Sequence, residues 1–186
     1  MIQGFLFDLD GTLVDTHRAN YEAYKRALAE FGVEVTYEQF ARGIGHQART
    51  FLPWLAPGLE QADYEKIAEL KADYYEESMH LTVANAHLIT FLRAMKPAHK
   101  TVLVTTAKRK NAQLVLRYHG IEDAFDVIVT SEDVHASKPS PECYALALHR
   151  IGLKPEEAIA FEDSDPGAEA AEAAGIAVVR IGGFSQ

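Results

Sequence analysis

The chain has 186 residues, of which 48% are hydrophobic and 24% charged, as in a globular protein with one sizeable core and room for a small appended domain. Its 18 basic and 27 acidic residues give a formal charge of −9, which argues against nucleic acid or an anionic membrane as the main partner. The one cysteine, Cys143, excludes an intramolecular disulfide, and without a leader-like or membrane-length apolar run we expect a reducing, cytoplasmic location.

The first half of the chain is predicted to form one strand followed by a block of helices. The apolar run Ile2–Phe7 is bounded by a turn signal, as is typical of a short buried strand. From Thr16 to about His80 the apolar residues recur at helical spacing, and Gly32 supplies a stop signal. Helices are predicted around Tyr21, Tyr24, Leu28 and Phe31, and over Tyr37–Arg42, Gln47–Leu55, Gln61–Met79 and Ala84–Met95.

The second half alternates between strands and helices. Strands are predicted at Thr101–Thr105, Phe125–Thr130, Ala158–Phe161 and Ile176–Ile181, and helices at Asn111–His119, Pro141–Ile151 and Pro166–Ala174. This alternation predicts an α/β fold with a doubly wound parallel sheet and right-handed crossovers. The helical block then becomes an insertion after the first strand. We therefore expect a core domain of residues 1–15 and 84–186 and an all-helical cap domain of residues 16–83.

Two carboxylates lie at the end of the first predicted strand. Asp8 and Asp10 are two positions apart, and Gly11 and Thr12 follow at once. Ligand sites in open α/β sheets lie outside the carboxyl ends of the strands, so this pair is expected at the rim of an active site. Paired carboxylates can supply a nucleophile, a general acid/base and oxygen ligands for Mg²⁺. The alternative is an acidic, solvated turn.

Three further polar clusters follow predicted strands and would meet the Asp8 pair at one rim of the sheet. They are Thr105-Thr106, Lys138-Pro139 and Glu162-Asp163-Ser164. Transfer of a phosphoryl group needs a nucleophile, an acid for the leaving oxygen, and donors and cations for the phosphate oxygens. These clusters contain residue types that can serve each need.

The order of these motifs, beginning with Asp8-Leu9-Asp10-Gly11-Thr12, resembles the four motifs of the haloacid dehalogenase (HAD) superfamily over essentially the whole chain. The helical block resembles the cap of its β-phosphoglucomutase-like branch. The resemblance implies a Rossmann-like HAD core and an enzyme that forms an aspartyl-phosphate. The dehalogenase branch lacks the acid at the position of Asp10, so its presence here favours phosphoryl transfer.

The resemblance also implies a role for each matched residue. Asp8 would be the nucleophile, and Asp10 the general acid/base whose backbone carbonyl also ligates Mg²⁺. Thr105 would donate a hydrogen bond to the transferring phosphoryl group, and Lys138 would balance charge. Together with Asp8 and Asp10, the metal ligands would be Glu162 and Asp163, acting directly or through water.

Several of these residues also have ordinary structural interpretations. Thr105 or Thr106 could simply end a strand, and Lys138 before Pro139 could form a turn. The run Lys108-Arg109-Lys110 could meet a substrate anion, with Lys108 foremost, or could be a solvated charge run. Asp165 before Pro166 is interpreted as a helix N-cap rather than a metal ligand, and Cys143 as a packed helical residue rather than a reactive thiol.

The segment Gly43–Arg49 between two cap helices is the candidate region for substrate choice. His46 and Arg49 could reach a sugar or its phosphate, or could be exposed side chains of a connecting turn. Asn20 stands where the sugar-phosphate mutases carry a histidine, and His46 where they carry an arginine. Residues 82–87 also lack the usual Pro-Gly. These departures favour hydrolysis over mutase activity, while the cap is still expected to close over the site.

The sequence therefore predicts a Mg²⁺-dependent phosphatase, a phosphoric monoester hydrolase. Its substrate would be a small phosphorylated metabolite, most simply a sugar or polyol phosphate. A sugar phosphomutase of the β-phosphoglucomutase type is the alternative enzyme, and a non-catalytic binding module is a third possibility. We expect no nucleic-acid or membrane partner, and a monomer or weak homodimer.

Overall fold

The computed structural model describes residues 1–43, 48–182 and 184. The chain divides into two compact units, one of Met1–Asp15 with Val83–Gln186 and the other of Thr16–Thr82. The first unit is called the core and the second the cap. Among the described residues, no helix is both long enough and apolar enough to cross a membrane.

The core is built on a five-stranded sheet, in which every neighbouring pair of strands is parallel. The strands assigned in the described residues are, in chain order, β1 (Gly4–Phe7), β2 (Val14–Asp15), β3 (Val83–Ala84), β4 (Lys100–Val104), β5 (Val127–Val129), β6 (Ala158–Glu162) and β7 (Ala177–Arg180). Of these, β2 and β3 pair with each other outside the main sheet. The order in the main sheet is β5-β4-β1-β6-β7, which confirms the predicted parallel α/β fold. The first strand lies at the centre, so its carboxyl end faces the middle of the ligand-binding edge.

Helices follow strands in the core, whereas the assigned elements of the cap are all helical. The core contains α5 (Ala86–Met95), α6 (Arg109–Tyr118), α7 (Glu142–Ile151) and α8 (Asp165–Ala173), with short 3₁₀ turns at Glu122–Ala124 and Pro155–Glu157. The cap contains α1 (His17–Ala29), α2 (Tyr37–Ala41), α3 (Ala48–Leu55) and α4 (Gln61–Glu77), with a 3₁₀ turn at Met79–Leu81. The insertion after β1 is helical throughout its assigned elements.

The alternation of side chains along β1 divides the core into two layers. Leu6 is fully buried in the cluster that α7 and α8 complete, with Tyr144 and Ala170 among its members. Phe5 and Phe7 face the other side, where both contact Phe91 of α5 at ring-centroid distances of 5.2 and 6.5 Å. Burial on both faces explains why β1 is a continuous apolar run.

The cap has its own apolar centre. Tyr24, Leu28, Phe40 and Ile67 belong to one buried cluster contributed by α1, α2 and α4. Lys71 of α4 is also buried, and its Nζ lies 3.9 Å from the Tyr75 ring centroid. Its aromatic surroundings stabilise the ammonium by a cation–π interaction.

Three local predictions need correction. The short ribbon of β2 and β3, which pair antiparallel, was not expected because two-residue strands carry no measurable periodicity. Asp165 is not the N-cap of α8, because the Ser164 hydroxyl accepts the hydrogen bond from the Gly167 amide instead. Asn85 caps α5, which therefore begins two residues later than predicted.

Candidate active site

Asp8 and Asp10 occupy the loop immediately after β1. The Asp8 amide donates to the Phe161 carbonyl of β6, so the sheet register extends into this loop. Asp8 is buried, whereas Asp10 is partly exposed. Gly11 follows with a φ of +93°, which suits glycine, and a Cβ added there would collide with the Asp163 carboxylate. Gly11 therefore permits a tight turn and a close approach between the first and fourth motifs.

Lys138 bridges Asp8, which follows β1, and Glu162, which ends β6. Its Nζ donates to Asp8 Oδ1 at 2.7 Å and to Glu162 Oε1 at 2.5 Å. A third hydrogen bond, of 3.0 Å, goes to the Val104 carbonyl at the end of β4. The ammonium thus uses its three donors on the ends of β1, β4 and β6.

Burial makes this ion cluster strongly coupled. Burial alone would lower the pKa of Lys138, but the charges around it, that of Asp8 above all, raise this pKa well above its ordinary value. Burial raises the pKa of Glu162, and the charge of Asp8 raises it further, while Lys138 acts against the rise. Lys138 is therefore a permanent cation between two carboxyl groups in a low-dielectric environment.

Asp163 completes a cluster that fits a divalent metal. Asp8, Glu162 and Asp163 each offer one carboxylate oxygen, and these oxygens all lie within 4.8 Å of one another. The Thr12 hydroxyl donates to Asp163 Oδ1 at 3.0 Å, which orients that side chain. An all-oxygen, multiply charged donor set is the chemistry that Mg²⁺ prefers. Among the described residues, the predicted metal-binding carboxylates are thus brought together.

Thr105 follows β4 and lies on the same edge. Its hydroxyl accepts from the Ala107 amide at 3.0 Å and stands 3.5 Å from Asp10 Oδ2. Thr106 and Lys108 are exposed beyond it, in the turn before α6. Between Lys108 and Lys110, which are exposed, Arg109 is partly exposed and its guanidinium pairs with Asp133 at 2.6 Å. Among the residues that the structure describes, Thr105 lies beside the acid pair, whereas Thr106 and Lys108 make no comparable contact.

The loop that carries Lys138 is held by two carboxylates. Asp133 accepts hydrogen bonds from Arg109, Arg150 and Thr130, which tie the loop to α6, α7 and the end of β5. Glu142 accepts from the His135 and Ala136 amides at 2.9 and 2.8 Å. These hydrogen bonds therefore hold the backbone of the loop that carries Lys138.

The Asp133 network predicts a pH-dependent contribution to stability. Burial raises the pKa of Asp133, but its hydrogen bonds with Arg150 and Thr130 and the charge of Arg109 outweigh burial and lower this pKa to about 2. Because the ordinary pKa of an aspartate is about 3.9, the ionised group stabilises the fold above roughly pH 4, and this contribution is lost as the pH falls towards 2. We expect Asp133→Asn to lower the free energy of unfolding by about 2 kcal/mol at neutral pH and by little at the acid end. Urea unfolding across this pH range, with exposed Asp123→Asn as the control, tests it; a pH-independent difference would contradict it.

The Glu162 carboxylate leaves no room for a side chain at Gly167, near the start of α8. A Cβ added there would collide with the Glu162 side chain, and no left-handed backbone is involved. We expect Gly167→Ala to displace Glu162 or α8, to cost about 1–3 kcal/mol of stability, and to weaken metal binding. Gly182→Ala is the control, because no atom of the described residues lies within 4 Å of a Cβ added at Gly182. Thermal unfolding with and without Mg²⁺ measures the loss of stability and the weaker metal binding. Equal stability and an equal response to Mg²⁺ in Gly167→Ala and Gly182→Ala would refute the steric role of Gly167.

The candidate substrate residues of the cap are not placed by the structure. His46 lies outside the described residues. Arg49 belongs to α3, but its side chain also lies outside the described part. Their roles remain predictions from the sequence.

Sequence reasoning did not single out two residues that support the site. Tyr144 of α7 is fully buried, and its hydroxyl donates to Glu162 Oε1 at 2.6 Å. Arg180, the last residue of β7, donates to the Asp163 carbonyl at 2.9 Å and to the Ser164 carbonyl. Tyr144 is part of an apolar helical stripe and Arg180 ends an ordinary strand, so neither has a signal in the sequence alone.

Known proteins are similar to this chain in sequence and in fold. Residues 5–181 match the family model described as haloacid dehalogenase-like hydrolase. The phosphorylated carbohydrates phosphatase of Thermotoga maritima is 33% identical over 180 residues, covering 94% of this chain and 82% of that protein. The structure of CbbY from Rhodobacter sphaeroides in complex with phosphate aligns with a TM-score of 0.88 at 26% identity, covering 99% of this chain and 88% of that chain. β-Phosphoglucomutase from Clostridium difficile aligns with a TM-score of 0.84 at 25% identity, covering 98% and 85%.

The first turn of this parallel α/β sheet carries carboxylates beside a buried lysine, in place of the glycine fingerprint of a dinucleotide-binding domain. The chain belongs to the haloacid dehalogenase-like hydrolase family. The predicted family is thus confirmed, and so is the enzyme class, a phosphoric monoester hydrolase.

Proposed function

We propose that this protein is a Mg²⁺-dependent phosphatase that hydrolyses a small sugar or polyol phosphate through an aspartyl-phosphate. The observation that carries the proposal is the buried cluster in which Lys138 bridges Asp8 and Glu162, with an oxygen of Asp163 within 4.8 Å of the carboxylates. The substrate class is supported by the phosphorylated carbohydrates phosphatase that shares 33% identity with this chain.

In the first half-reaction, Asp8 is the nucleophile. Lys138 binds its Oδ1, which leaves Oδ2 as the oxygen that attacks phosphorus. The bond from phosphorus to the ester oxygen breaks, and Asp10 donates a proton to the departing alcohol. Thr105, whose hydroxyl lies beside Asp10, donates a hydrogen bond to the transferring phosphoryl group.

In the second half-reaction, water attacks the phosphorus of the aspartyl-phosphate. Asp10, now ionised, removes a proton from this water, and the bond between phosphorus and Asp8 breaks to release inorganic phosphate. Asp8 and Asp10 return to their starting states, so the cycle balances. In the free enzyme Lys138 carries a positive charge, because the charges around it, that of Asp8 above all, raise its pKa well above the ordinary value.

Mg²⁺ would be held by the carboxylates of Asp8, Glu162 and Asp163, and the family resemblance adds the Asp10 carbonyl. When bound, the cation neutralises negative charge that develops on the phosphate oxygens. The remaining predicted contacts, Thr106 and Lys108 in the core and His46 and Arg49 in the cap, are proposed to bind the rest of the substrate.

A phosphate-release assay tests this function. Inorganic phosphate is measured with a panel of sugar and polyol phosphates and one aryl phosphate, in Mg²⁺ and after chelation with EDTA. We expect release that depends on Mg²⁺ and is fastest with one or a few carbohydrate esters. Absence of release from every ester in Mg²⁺ would overturn the proposal.

The role of Asp10 makes a separate prediction. In Asp10→Asn, release of an alkyl alcohol in the first turnover is expected to slow by roughly 10²–10⁴-fold, because the departing alkoxide is no longer protonated. An aryl leaving group needs little protonation, so its first-turnover release should slow far less. Rapid-quench measurement of both esters separates this step from later hydrolysis. Equal losses on both would contradict Asp10 as the general acid.

A phosphomutase is the second candidate, favoured by the TM-score of 0.84 with β-phosphoglucomutase. It would return the phosphoryl group from Asp8 to a different hydroxyl of the sugar. Asn20 and His46, at positions where the resemblance leads us to expect histidine and arginine, argue against it. Interconversion of sugar phosphates without stoichiometric phosphate release would establish the mutase instead.

A further inference from the structure

Tyr144 has a buried hydroxyl inside an otherwise apolar layer. Its side chain is fully buried in the cluster that α7 shares with the sheet, where a phenylalanine would pack as well. A buried hydroxyl costs free energy unless it is hydrogen-bonded. Here it donates to Glu162 Oε1 at 2.6 Å.

The two oxygens of Glu162 are held very differently. Oε1 accepts from Tyr144 and from Lys138 Nζ, at 2.6 and 2.5 Å. Among the described residues, Oε2 has one hydrogen bond, a long one of 3.5 Å from the Ser164 hydroxyl. Two donors on one oxygen fix the plane of the carboxylate, and Oε2 is left for a further ligand.

Lys138 alone would hold Glu162 less firmly. Its ammonium is also bonded to Asp8 and to the Val104 carbonyl, so it serves three acceptors at once. If the phenol were absent, Glu162 Oε1 would keep one flexible donor, and the carboxylate could rotate about its last side-chain bond.

We infer that Tyr144 is a positioning residue, whose hydroxyl holds Glu162 Oε1 beside Lys138 and so orients the Glu162 carboxylate towards a divalent metal. The inference rests on the proposed function, because it assumes that Glu162 helps to hold Mg²⁺. Tyr144 does not touch substrate and takes no part in proton transfer. Its effect is on metal affinity, as expected for groups that orient metal ligands.

The test measures metal binding by the substrate-free, full-length protein. Mn²⁺ replaces Mg²⁺ as a paramagnetic probe, and free Mn²⁺ is counted by electron paramagnetic resonance in wild type and Tyr144→Phe. We expect the variant to bind Mn²⁺ about 10-fold more weakly, the lower end of the range for loss of an orienting hydrogen bond. At saturating metal, kcat should stay within about 2-fold of wild type, since the reacting groups are intact.

Two comparisons separate orientation from a structural effect. Tyr64→Phe removes a comparable hydrogen bond in the cap, 2.9 Å long to the Ala56 carbonyl, and should bind Mn²⁺ as wild type does. On a Glu162→Gln background, Tyr144→Phe should weaken binding no further, because its effect passes through that carboxylate. If Tyr144→Phe does not fold, Tyr144→Met, which fills the space without a hydroxyl, takes its place.

The possible results separate the inference from the proposed function. Unchanged Mn²⁺ affinity in Tyr144→Phe, or an equal loss on the Glu162→Gln background, would overturn the role of Tyr144 and leave the phosphatase untouched. Wild-type protein that binds no Mn²⁺ would overturn the metal site and this inference together. Normal Mn²⁺ binding without phosphate release from any ester would overturn the phosphatase alone.

Discussion

Asp8→Asn is expected to reduce phosphate release by roughly 10⁴-fold or more, while the protein remains folded. Asparagine has nearly the same shape as aspartate but carries no charge, so it cannot form the acyl-phosphate on which turnover depends. The fold should survive because Lys138 keeps its second carboxylate, Glu162, at 2.5 Å and its bond to the Val104 carbonyl. The measurement is steady-state phosphate release in Mg²⁺ with the best ester of the panel.

The control for Asp8→Asn is a test that the variant is still folded. Circular dichroism and thermal unfolding should show Asp8→Asn close to wild type, which separates loss of chemistry from loss of structure. Asp10→Asn is the informative comparison, since it removes an acid two positions away without removing the nucleophile. Residual turnover in Asp8→Asn above about one part in 10² of wild type would exclude Asp8 as the nucleophile.

The position of the site could be predicted from the sequence because it depends on strand ends. Asp8 directly follows the apolar run of β1 and Glu162 ends that of β6, and carboxyl ends of parallel strands meet at one edge. Lys138 lies well beyond Val129, the last residue of β5, so the strand ends alone do not place it. The register confirms this directly, since Phe7 pairs with Leu103 of β4 and with Phe161 of β6. Residues next to these strand ends must therefore be neighbours, whatever the connecting helices do.

The contacts between side chains could not be predicted from the sequence. Tyr144 fits an apolar helical stripe equally well as a plain core residue, and only the packing of α7 against the sheet brings its hydroxyl to Glu162. Ser164 and Asp165 are both good N-cap residues, so spacing alone could not choose between them. Periodicity finds buried faces, whereas hydrogen bonds between distant segments depend on the full three-dimensional structure.

Lys138→Met is expected to have the second large effect, and this effect should depend on metal. Lys138 is 5% exposed and stands between Asp8 and Glu162, which are 9% and 0% exposed. Its loss leaves two neighbouring buried carboxyl groups without their cation. Removing one partner of a buried ion pair costs about 3–5 kcal/mol, and here the remaining groups also repel each other. Activity should be lost as well, because the charge that steadies Asp8 and the phosphate is gone.

Mg²⁺ should recover part of this stability. A divalent cation held by Asp8, Glu162 and Asp163 would supply positive charge to the same carboxylates that Lys138 neutralises. The difference in free energy of unfolding between wild type and Lys138→Met should therefore be larger in EDTA than in saturating Mg²⁺. Urea unfolding under the two conditions measures it.

Lys71→Met is the matched control for the Lys138 variant. Lys71 is also a buried lysine, 7% exposed, but it lies over the Tyr75 ring in the cap and contacts no member of the Asp8, Glu162 and Asp163 cluster among the contacts of the described residues. Its replacement should destabilise the protein equally in EDTA and in Mg²⁺. If Lys138→Met were destabilised equally in EDTA and in Mg²⁺, the lysine and the metal would not share the same carboxylates. The charge balance proposed for this site requires that they do, because Asp8 and Glu162 are contacts of Lys138 and members of the metal-binding cluster at once.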